Sequence, residues 1–208
     1  MLYEYLKETF GENEPILASE IRCSQMSENN IRQQLKRLAD AGRICRYDTG
    51  IYFIPKKSVF KSGSLPSRAR VIEKKYLLEE GERCGYIGGV MFANQMGLTA
   101  QVPMCCEVFT NKAAADCREV MLASSRLILR KPRAKVTEEN YCLLRLLDLL
   151  KDIEIYEVQD KAKAGGRIIA YMKASGIEFR DLDNYLSCYP DKIYRNMYEM
   201  GLIRGVSA

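Results

Sequence analysis

The first ten residues carry apolar side chains at helical spacing. Leu2, Leu6 and Phe10 stand four positions apart, which predicts a short amphipathic helix that ends at the segment Gly-Glu-Asn-Glu-Pro. A second short helix is predicted over residues 16–22, because Leu17 and Ile21 are again four positions apart. Each helix would contribute one apolar face to a small core.

A third helix, with two contrasting faces, is predicted over residues 28–41. Ser27 is a favourable N-cap for it, and Gly42 suits the position just beyond its last turn. One face carries the apolar stripe Ile31, Leu35, Leu38 and Ala39. The opposite face and its flanks carry Asn29, Asn30, Arg32, Gln33, Lys36, Arg37 and Asp40. Amides and arginines can pair with base edges in the major groove and cations can contact phosphates, although a solvated helix face would have the same composition.

Two short β-rich runs follow, at residues 43–47 and 51–55, with a three-residue turn at 48–50 between them. They predict a hairpin, closed by Pro55, whose tip presents Arg46, Tyr47, Asp48 and Thr49 to a DNA backbone or minor groove. The motif L-x-x-L-x-x-x-G-x-I-x-R-Y-x-x-G-x-Y-F-I over residues 35–54 resembles the N-terminal domain of bacterial winged-helix regulators. We therefore expect a winged helix-turn-helix DNA-binding domain over residues 1–57.

The rest of the chain alternates between helical and β-rich patterns. A segment rich in Ser, Lys, Gly and Pro at residues 58–67 is expected to be a linker. Helices are predicted over 68–81, 86–97 and 138–152, the last with Thr137 as its cap, and again from residue 160 onward; short strands are predicted at 108–111, 120–122 and 127–129. The expected fold class is α+β, with a winged helix-turn-helix followed by a larger domain of helices and a small sheet over 68–208.

Composition limits the functions that this chain can have. Its 208 residues suit two domains, and 47% hydrophobic residues are enough for two cores. The chain has no histidine, the commonest general base and metal ligand, so we expect neither an enzyme nor a metal or cofactor site. None of the eight cysteines forms a C-x-x-C pair, and most are expected to be buried thiols. The apolar runs are too short to span a bilayer, so we expect a cytoplasmic protein without membrane contact.

Positive charge is concentrated in two segments. Residues 27–57 hold seven cations and three acids, whereas residues 1–26 hold two cations and five acids. The predicted DNA-binding residues are Ser27, Asn29, Asn30, Arg32, Gln33, Lys36, Arg37, Arg46, Tyr47 and Thr49. A second basic patch is predicted at Arg126, Arg130, Lys131, Arg133 and Lys135, which could equally be a solvated basic loop.

The most distinctive stretch is G-Y-I-G-G-V-M-F-A-N-Q-M-G-L-T-A-Q-V-P at residues 85–103. It resembles the G-Y-I-S-G and A-N-Q-L-G-L-T-T-Q-V-P segments of AbiEi-like proteins, the antitoxins of type IV abortive-infection toxin-antitoxin systems, although Gly88 and Ala100 stand where small polar residues are more usual. The resemblance extends over about residues 1–150. It implies a DNA-binding antitoxin that represses its own operon and counteracts a nucleotidyltransferase toxin without a stable complex. From the residues themselves, we expect Asn94 and Gln95 to be buried amides that fix a corner of the fold.

Two other classes of function stay open at the level of sequence. One is a winged-helix regulator of another operon, whose second domain senses a ligand or a protein. The other is an enzyme such as the nucleotidyltransferase itself, because Gly63-Ser64 matches the start of that active site. The next acid after Ser64 is Glu73, and no D-x-D pair stands close behind it to hold magnesium. No G-x-x-x-x-G-K-[ST] loop occurs either, so the sequence gives the enzyme little support.

Overall fold

The chain folds into two compact units, residues Met1–Glu80 and Gly81–Ala208. The structure is a computed structural model, and it describes residues 2–23, 26–56, 64–156, 158 and 160–203. Both units combine helices with short strands, so the predicted α+β class is confirmed. Within the described residues, no helix is both long enough and apolar enough to cross a membrane.

The first unit begins with a helix, a strand, a second helix and a hairpin. Its elements are α1 (Leu2–Phe10), β1 (Ile16–Leu17), a 3₁₀ turn (Ala18–Glu20), α2 (Glu28–Asp40), β2 (Cys45–Asp48), β3 (Ile51–Phe53), α3 (Arg68–Ile72), a π-helical turn (Glu73–Leu77) and β4 (Leu78–Glu79). The three strands β1, β2 and β3 form an antiparallel sheet in the order β1-β3-β2. Its core consists of Leu2, Leu6, Ile16, Ile21, Ile31, Leu35, Ile44 and Ile54.

The segment predicted as the second helix, residues 16–22, is instead a strand and a single 3₁₀ turn. The backbone of Ile16 pairs with Tyr52, and that of Leu17 pairs with Ile51. Both side chains are buried, and this pairing satisfies main-chain groups that a helix would have satisfied locally. The distant strand therefore outweighs the helical spacing of Leu17 and Ile21.

The hairpin between β2 and β3 is present, with a tighter turn than predicted. Asp48 pairs with Ile51, so only Thr49 and Gly50 connect the strands, and the register shifts between Arg46 and Asp48. Gly50 has a φ of 72°, a conformation in which glycine avoids the strain of a side chain. The shift in register leaves Tyr47 as an extra residue in β2 and bends that strand.

The helix that begins at Arg68 belongs to the first unit, whereas the sequence pattern predicts it as the start of the second domain. Arg70 lies 3.0 Å from the Glu14 carboxylate, and the ammonium group of Lys74 donates to the carbonyl of Pro15 at 2.8 Å. The helix ends at Leu77 rather than at residue 81. Residues 57–63, most of the predicted linker, lie outside the described residues.

The second unit packs a four-stranded sheet and several helices around one central helix. Its elements are β5 (Glu82–Arg83), β6 (Gly85–Gly88), α4 (Gly89–Gln95), β7 (Cys106–Thr110), β8 (Cys117–Leu122), β9 (Ser125–Arg130), α5 (Tyr141–Lys151), a 3₁₀ turn (Ile153–Tyr156), α6 (Lys161–Ala174), α7 (Phe179–Leu186) and α8 (Lys192–Glu199). The sheet order is β6-β7-β9-β8, and only the β7–β9 pair is parallel. Leu144, Leu147 and Leu150 of α5 are fully buried at the centre of the core.

The predicted helix over residues 86–97 is wrong in its first part, where residues 85–88 form β6. Tyr86 pairs with Phe109 of β7, and their rings stack with centroids 5.2 Å apart. A side chain at Gly88 would come within 2.7 Å of the Phe109 ring, and Gly89 starts α4 with a φ of 61°. The two glycines therefore allow an abrupt change from strand to helix beside an aromatic ring.

Two smaller predictions in the second unit also need correction. The helix predicted over 138–152 begins at Tyr141, and Asn140 rather than Thr137 is its N-cap; the N–H of Thr137 donates to the side chain of Asn140 at 2.8 Å. The cysteines are all free thiols, but only Cys84 and Cys106 are buried. The remaining six are half-buried or exposed, so most of the thiols do not contribute fully to a core.

Candidate nucleic-acid interface

The inner face of α2 fixes the direction in which its polar face points. Ile31 and Leu35 are buried in the core of the first unit, while Leu38 and Ala39 are half-buried at its edge. The Ser27 side chain accepts a hydrogen bond from the N–H of Asn30, as an N-cap does. The apolar stripe, the cap and the terminal Gly42, whose φ is 67°, agree with the sequence prediction.

The outer face of α2 is fully available to solvent. Asn29, Asn30, Gln33, Lys36 and Arg37 are exposed, and none of their side chains forms a hydrogen bond or ion pair with the residues that the structure describes. The three amide side chains and the two cations are thus free to contact a ligand. Groups of this type suit both base edges and phosphates.

Arg32 differs from the other cations of α2 because a carboxylate is within reach. Its guanidinium lies 3.6 Å from the Glu28 carboxylate, one helical turn earlier. Both side chains are strongly exposed, at 70% and 88%, so the pair is weak and a phosphate could replace it.

The tip of the β2–β3 hairpin is held together by its own side chains. Arg46 donates to the Asp48 carbonyl at 3.3 Å and to the Thr49 hydroxyl at 3.2 Å, while the Thr49 N–H donates to the Asp48 carboxylate at 2.6 Å. Arg46 and Thr49 are exposed, and Tyr47 is half-buried at the bulge. A guanidinium has five donors, so Arg46 keeps some for an external acceptor while its position is fixed.

The second basic patch is not a single cluster of free cations. Arg126 pairs with Glu119, and Arg130 donates to Glu107 at 2.6 Å, which places two of the five charges beside carboxylates. Arg133 donates to the Cys188 carbonyl at 2.9 Å and lies 5.3 Å from the centre of the Tyr189 ring. Lys131 and Lys135 are exposed in the loop after β9. Most of this patch therefore has structural partners within the second unit.

Asn94 and Gln95 are exposed rather than buried, but they do fix a corner of the fold. The Asn94 amide donates to the carbonyls of Thr99 and Gln101, each at 3.3 Å. The side-chain Oε1 of Gln95 accepts from the Arg145 guanidinium at 2.6 Å. Gly97, with a φ of 65°, follows the last turn of α4 and allows the chain to change direction at this corner.

Sequence reasoning missed a cavity of about 330 Å³ in the second unit, lined by residues from the 97–100 turn and from the start of α6. The lining residues are about sixty positions apart in the chain, so no local motif indicates that they meet. The pairing of Lys163 and Arg167 four residues apart on one helix was the only available signal. In the described part of the chain, no three Cys, Asp or Glu side chains are grouped so that they could hold a metal ion.

Comparison with known proteins assigns a family without assigning an activity. No curated protein matches the chain. A family model with the description "Family of unknown function (DUF6088)" matches residues 16–177, which include β1, α2, the hairpin and most of the second unit. Because this match extends over more than half of the sequence, the chain belongs to the DUF6088 family of proteins of unknown function.

Proposed function

We propose that this protein is a DNA-binding transcriptional autorepressor of the antitoxin type, in which the first unit is a winged helix-turn-helix domain that binds the promoter of its own operon. Its functional partner is a nucleotidyltransferase toxin of a type IV abortive-infection system, which it counteracts without a stable complex. It works in the cytoplasm, where its double-stranded DNA is found, and it needs no cofactor.

The order of elements in the first unit supports the winged-helix assignment. A helix, a strand, a short 3₁₀ turn, a longer helix and a hairpin follow one another, and the first strand pairs with the last. In winged-helix proteins the longer helix lies in the major groove and the hairpin contacts the backbone nearby. The 3₁₀ turn at residues 18–20 stands where such domains have their second helix.

The observation that carries the proposal is the free polar face of α2. Core residues are held inward, while three amides and two cations point outward without a partner among the described residues. A solvated helix face is ordinarily rich in acids as well as bases, whereas Asp40 and Glu28 lie only at the two ends of α2. Amides between cations are the side chains that base recognition requires.

The antitoxin part of the proposal rests on the stretch at residues 85–103, which resembles AbiEi-like proteins. This stretch spans β6, α4 and the turn after α4. Gly88 is needed because a side chain there would overlap the Phe109 ring, and Gly89 and Gly97 have positive φ values that favour glycine. The resemblance therefore concerns the architecture of the second unit rather than a catalytic site. Toxin neutralisation is therefore a hypothesis about the whole second unit.

A second candidate function is that of a regulator of another operon whose second unit senses a ligand. The cavity at residues 97–100 and 158–167 favours it, because a sensor needs a concave site with polar groups. The two candidates differ in their operator. An antitoxin of this type binds DNA upstream of its own gene, whereas the sensor binds elsewhere and responds to a small molecule.

The test is a binding titration with the DNA upstream of the gene beside random DNA of equal length. Gln33→Ala and Asn29→Ala should each weaken operator binding by about 1 to 3 kcal/mol with little effect on random DNA, because base contacts are lost. Lys36→Ala and Arg37→Ala should weaken binding to both DNAs and lower the salt slope by about one unit per lost phosphate contact.

Two control variants separate DNA contact from folding and from overall charge. Leu35→Ala should lose binding because it empties a buried position and destabilises the domain by about 2 to 5 kcal/mol, which a thermal melt detects. Lys173→Ala removes one exposed charge from α6 and should bind as the parent does. If all four variants of α2 bind like the parent, this helix does not contact DNA and the proposal is wrong.

A further inference from the structure

The cavity of the second unit lies between the turn after α4 and the first turns of α6. Gly97, Thr99 and Ala100 form one wall, and Lys163, Ala164 and Arg167 form another. Its volume of about 330 Å³ lies at the lower end of the range of small-molecule pockets, about 300 to 1,000 Å³. The space therefore suits a small metabolite rather than a large cofactor.

Two cations line this cavity without a carboxylate partner. Lys163 and Arg167 are one turn apart on α6, so their side chains lie on the same face of the helix. Neither makes an ion pair within the described residues, whereas Lys161, on the same helix, lies 2.7 Å from Glu199. Asp160, the acid in the lining, is engaged as the N-cap of α6 and accepts the N–H of Lys163 at 2.9 Å.

The opposite wall is fixed before any ligand arrives. Besides the Asn94 contacts described above, the Leu98 N–H donates to the Ala93 carbonyl at 2.9 Å, and the Gln101 N–H donates to the Thr99 hydroxyl oxygen at 3.1 Å. The Thr99 hydroxyl thus accepts one bond and keeps its proton to donate. Because these bonds already order the turn, it loses less conformational entropy when a ligand binds.

Gly97 lets the guanidinium of Arg167 approach the backbone of this wall. A side-chain carbon at position 97 would lie 2.5 Å from a guanidinium nitrogen of Arg167. The positive φ of 65° there also disfavours any other residue. The guanidinium of Arg167 consequently lies against the turn at Gly97, and the rest of this side chain is exposed to solvent at the mouth of the cavity.

We propose that this cavity binds a small organic phosphate monoester. The planar fork of Arg167 and the ammonium of Lys163 match the double charge of a phosphate, and the Thr99 hydroxyl offers a further donor. The apolar part of the lining could contact the short organic group of the ester; it consists of Leu98, Ala100, Val158 and Ala164. The described lining has no aromatic ring on which a nucleobase could stack, so we do not expect the ligand to be a nucleotide. This inference does not depend on DNA binding by the first unit.

The test uses the ¹⁵N-labelled full-length protein, titrated with propyl phosphate and followed by amide chemical shifts. Saturable shifts should be confined to residues 97–101 and to the first half of α6. Inorganic phosphate should shift the same amides but bind with lower affinity, because it lacks the propyl group. Propanol, which has the propyl group but no phosphate, should cause no saturable shift. Propionate tests whether a carboxylate serves equally well, and equal affinity would overturn the assignment to phosphate.

Variants decide whether the cavity itself is responsible. Lys163→Gln and Arg167→Gln should each weaken propyl phosphate binding about tenfold or more, since each removes a charge-assisted hydrogen bond. Ala100→Phe should abolish binding by filling the cavity while both cations remain. The amide spectrum of each variant shows directly whether the unit is still folded.

Two control variants each remove one positive charge, as the cavity variants do, but at positions outside the cavity. Lys173→Gln lies on α6 away from the cavity, and Lys36→Gln lies on α2 in the first unit; both should bind the probe as the parent does. The proposal is overturned if no shift saturates, if the shifts map to α2, or if the Lys163 and Arg167 variants bind like the parent. Loss of DNA binding by Lys36→Gln with the probe shifts intact would leave both proposals standing independently.

Discussion

Asp148 is a carboxylate inside the core of the second unit, with only 3% of its surface exposed. The Tyr86 hydroxyl donates to it at 2.6 Å, and the Lys151 ammonium lies 3.4 Å away on its other side. Burial raises the pKa of Asp148 above its usual value of 3.8, since the nearby cation and hydroxyl only partly replace the lost water. The folded protein therefore binds a proton at this residue more readily than the unfolded chain does.

The expected consequence is a stability that falls as the pH rises above about 4 toward the raised pKa of Asp148. Asp148→Asn keeps an acceptor for Tyr86 but cannot ionise, so it should flatten the curve of unfolding free energy against pH in that window. Urea unfolding at a series of pH values measures this curve. The exposed Asp183→Asn is the control for removing one carboxylate. Identical slopes in the parent and in Asp148→Asn would contradict the prediction.

Adjacent glycines in α6 have opposite environments. Gly165 is buried, and a side-chain carbon there would overlap the backbone carbonyl of Met200, whereas nothing lies within 4 Å of such an atom at Gly166. Gly165→Ala should therefore destabilise the protein by about 1 to 3 kcal/mol through overpacking. Gly166→Ala should stabilise it by up to about 1 kcal/mol, because alanine favours a helix. Thermal and urea melts distinguish the two signs, and equal effects would show that α6 does not approach Met200 this closely.

At the scale of elements, one buried amide forms polar contacts between α5 and α8. Asn196 of α8 donates to the carbonyls of Leu150 and Lys151, at 2.8 and 3.3 Å, and to the Glu154 carboxylate at 2.7 Å. The last carbonyls of a helix have no partner within it, so α8 caps the C-terminus of α5 through this side chain. The core helix and the C-terminal helices are thereby joined by polar as well as apolar contacts.

Asn196→Ala should lower the free energy of unfolding by about 1 to 3 kcal/mol, because it leaves buried carbonyl groups without a donor. Asn184→Ala, at an exposed position of α7, changes the same side chain outside the core and should have a small effect. Urea unfolding of both variants makes the comparison. If the two losses are equal, the Asn196 contacts do not stabilise the end of α5.

At the scale of the whole molecule, the division at Glu80 and Gly81 separates the two proposed activities. The α2 face and the hairpin tip belong to residues 1–80, and the phosphate cavity belongs to residues 81–208. Within the first unit, Arg70 of α3 contacts Glu14, and Lys74 of the π-helical turn contacts Pro15 and Glu20. A fragment that stops at residue 57 lacks all of these contacts.

A fragment of residues 1–80 should therefore melt at a higher temperature than one of residues 1–57, and it should keep specific binding to the upstream DNA. Residues 81–208 should not bind that DNA. Calorimetry and a gel-shift assay on the three fragments check both statements. Specific binding by residues 81–208 as strong as that of the full chain would exclude the winged-helix proposal, and equal melting of the two shorter fragments would show that α3 adds no stability.

The sequence by itself determined the elements whose signals are local. For α2, the apolar stripe, the Ser27 cap and Gly42 lie within sixteen consecutive residues, and together they fix both the helix and its polar face. The hairpin after it, the strands β7, β8 and β9, and the C-terminal helices follow from periodicity in the same way. The helices satisfy most of their backbone groups within themselves, and β2–β3 and β8–β9 are pairs of strands adjacent in the chain. The strand β7 is indicated by its β-rich composition alone, since its partners are β6 and β9.

Only the tertiary structure decided the features whose partners are distant in sequence. Residues 16–17 became a strand because their hydrogen-bonding partners are Ile51 and Tyr52, and residues 85–88 did so because β7 lies beside them. The cavity exists because a turn near Gly97 meets a helix that begins at Lys161. Backbone pairing and side-chain packing across such separations outweigh the weak local preference of a short apolar run, and periodicity contains no information about which distant segment supplies the contacts.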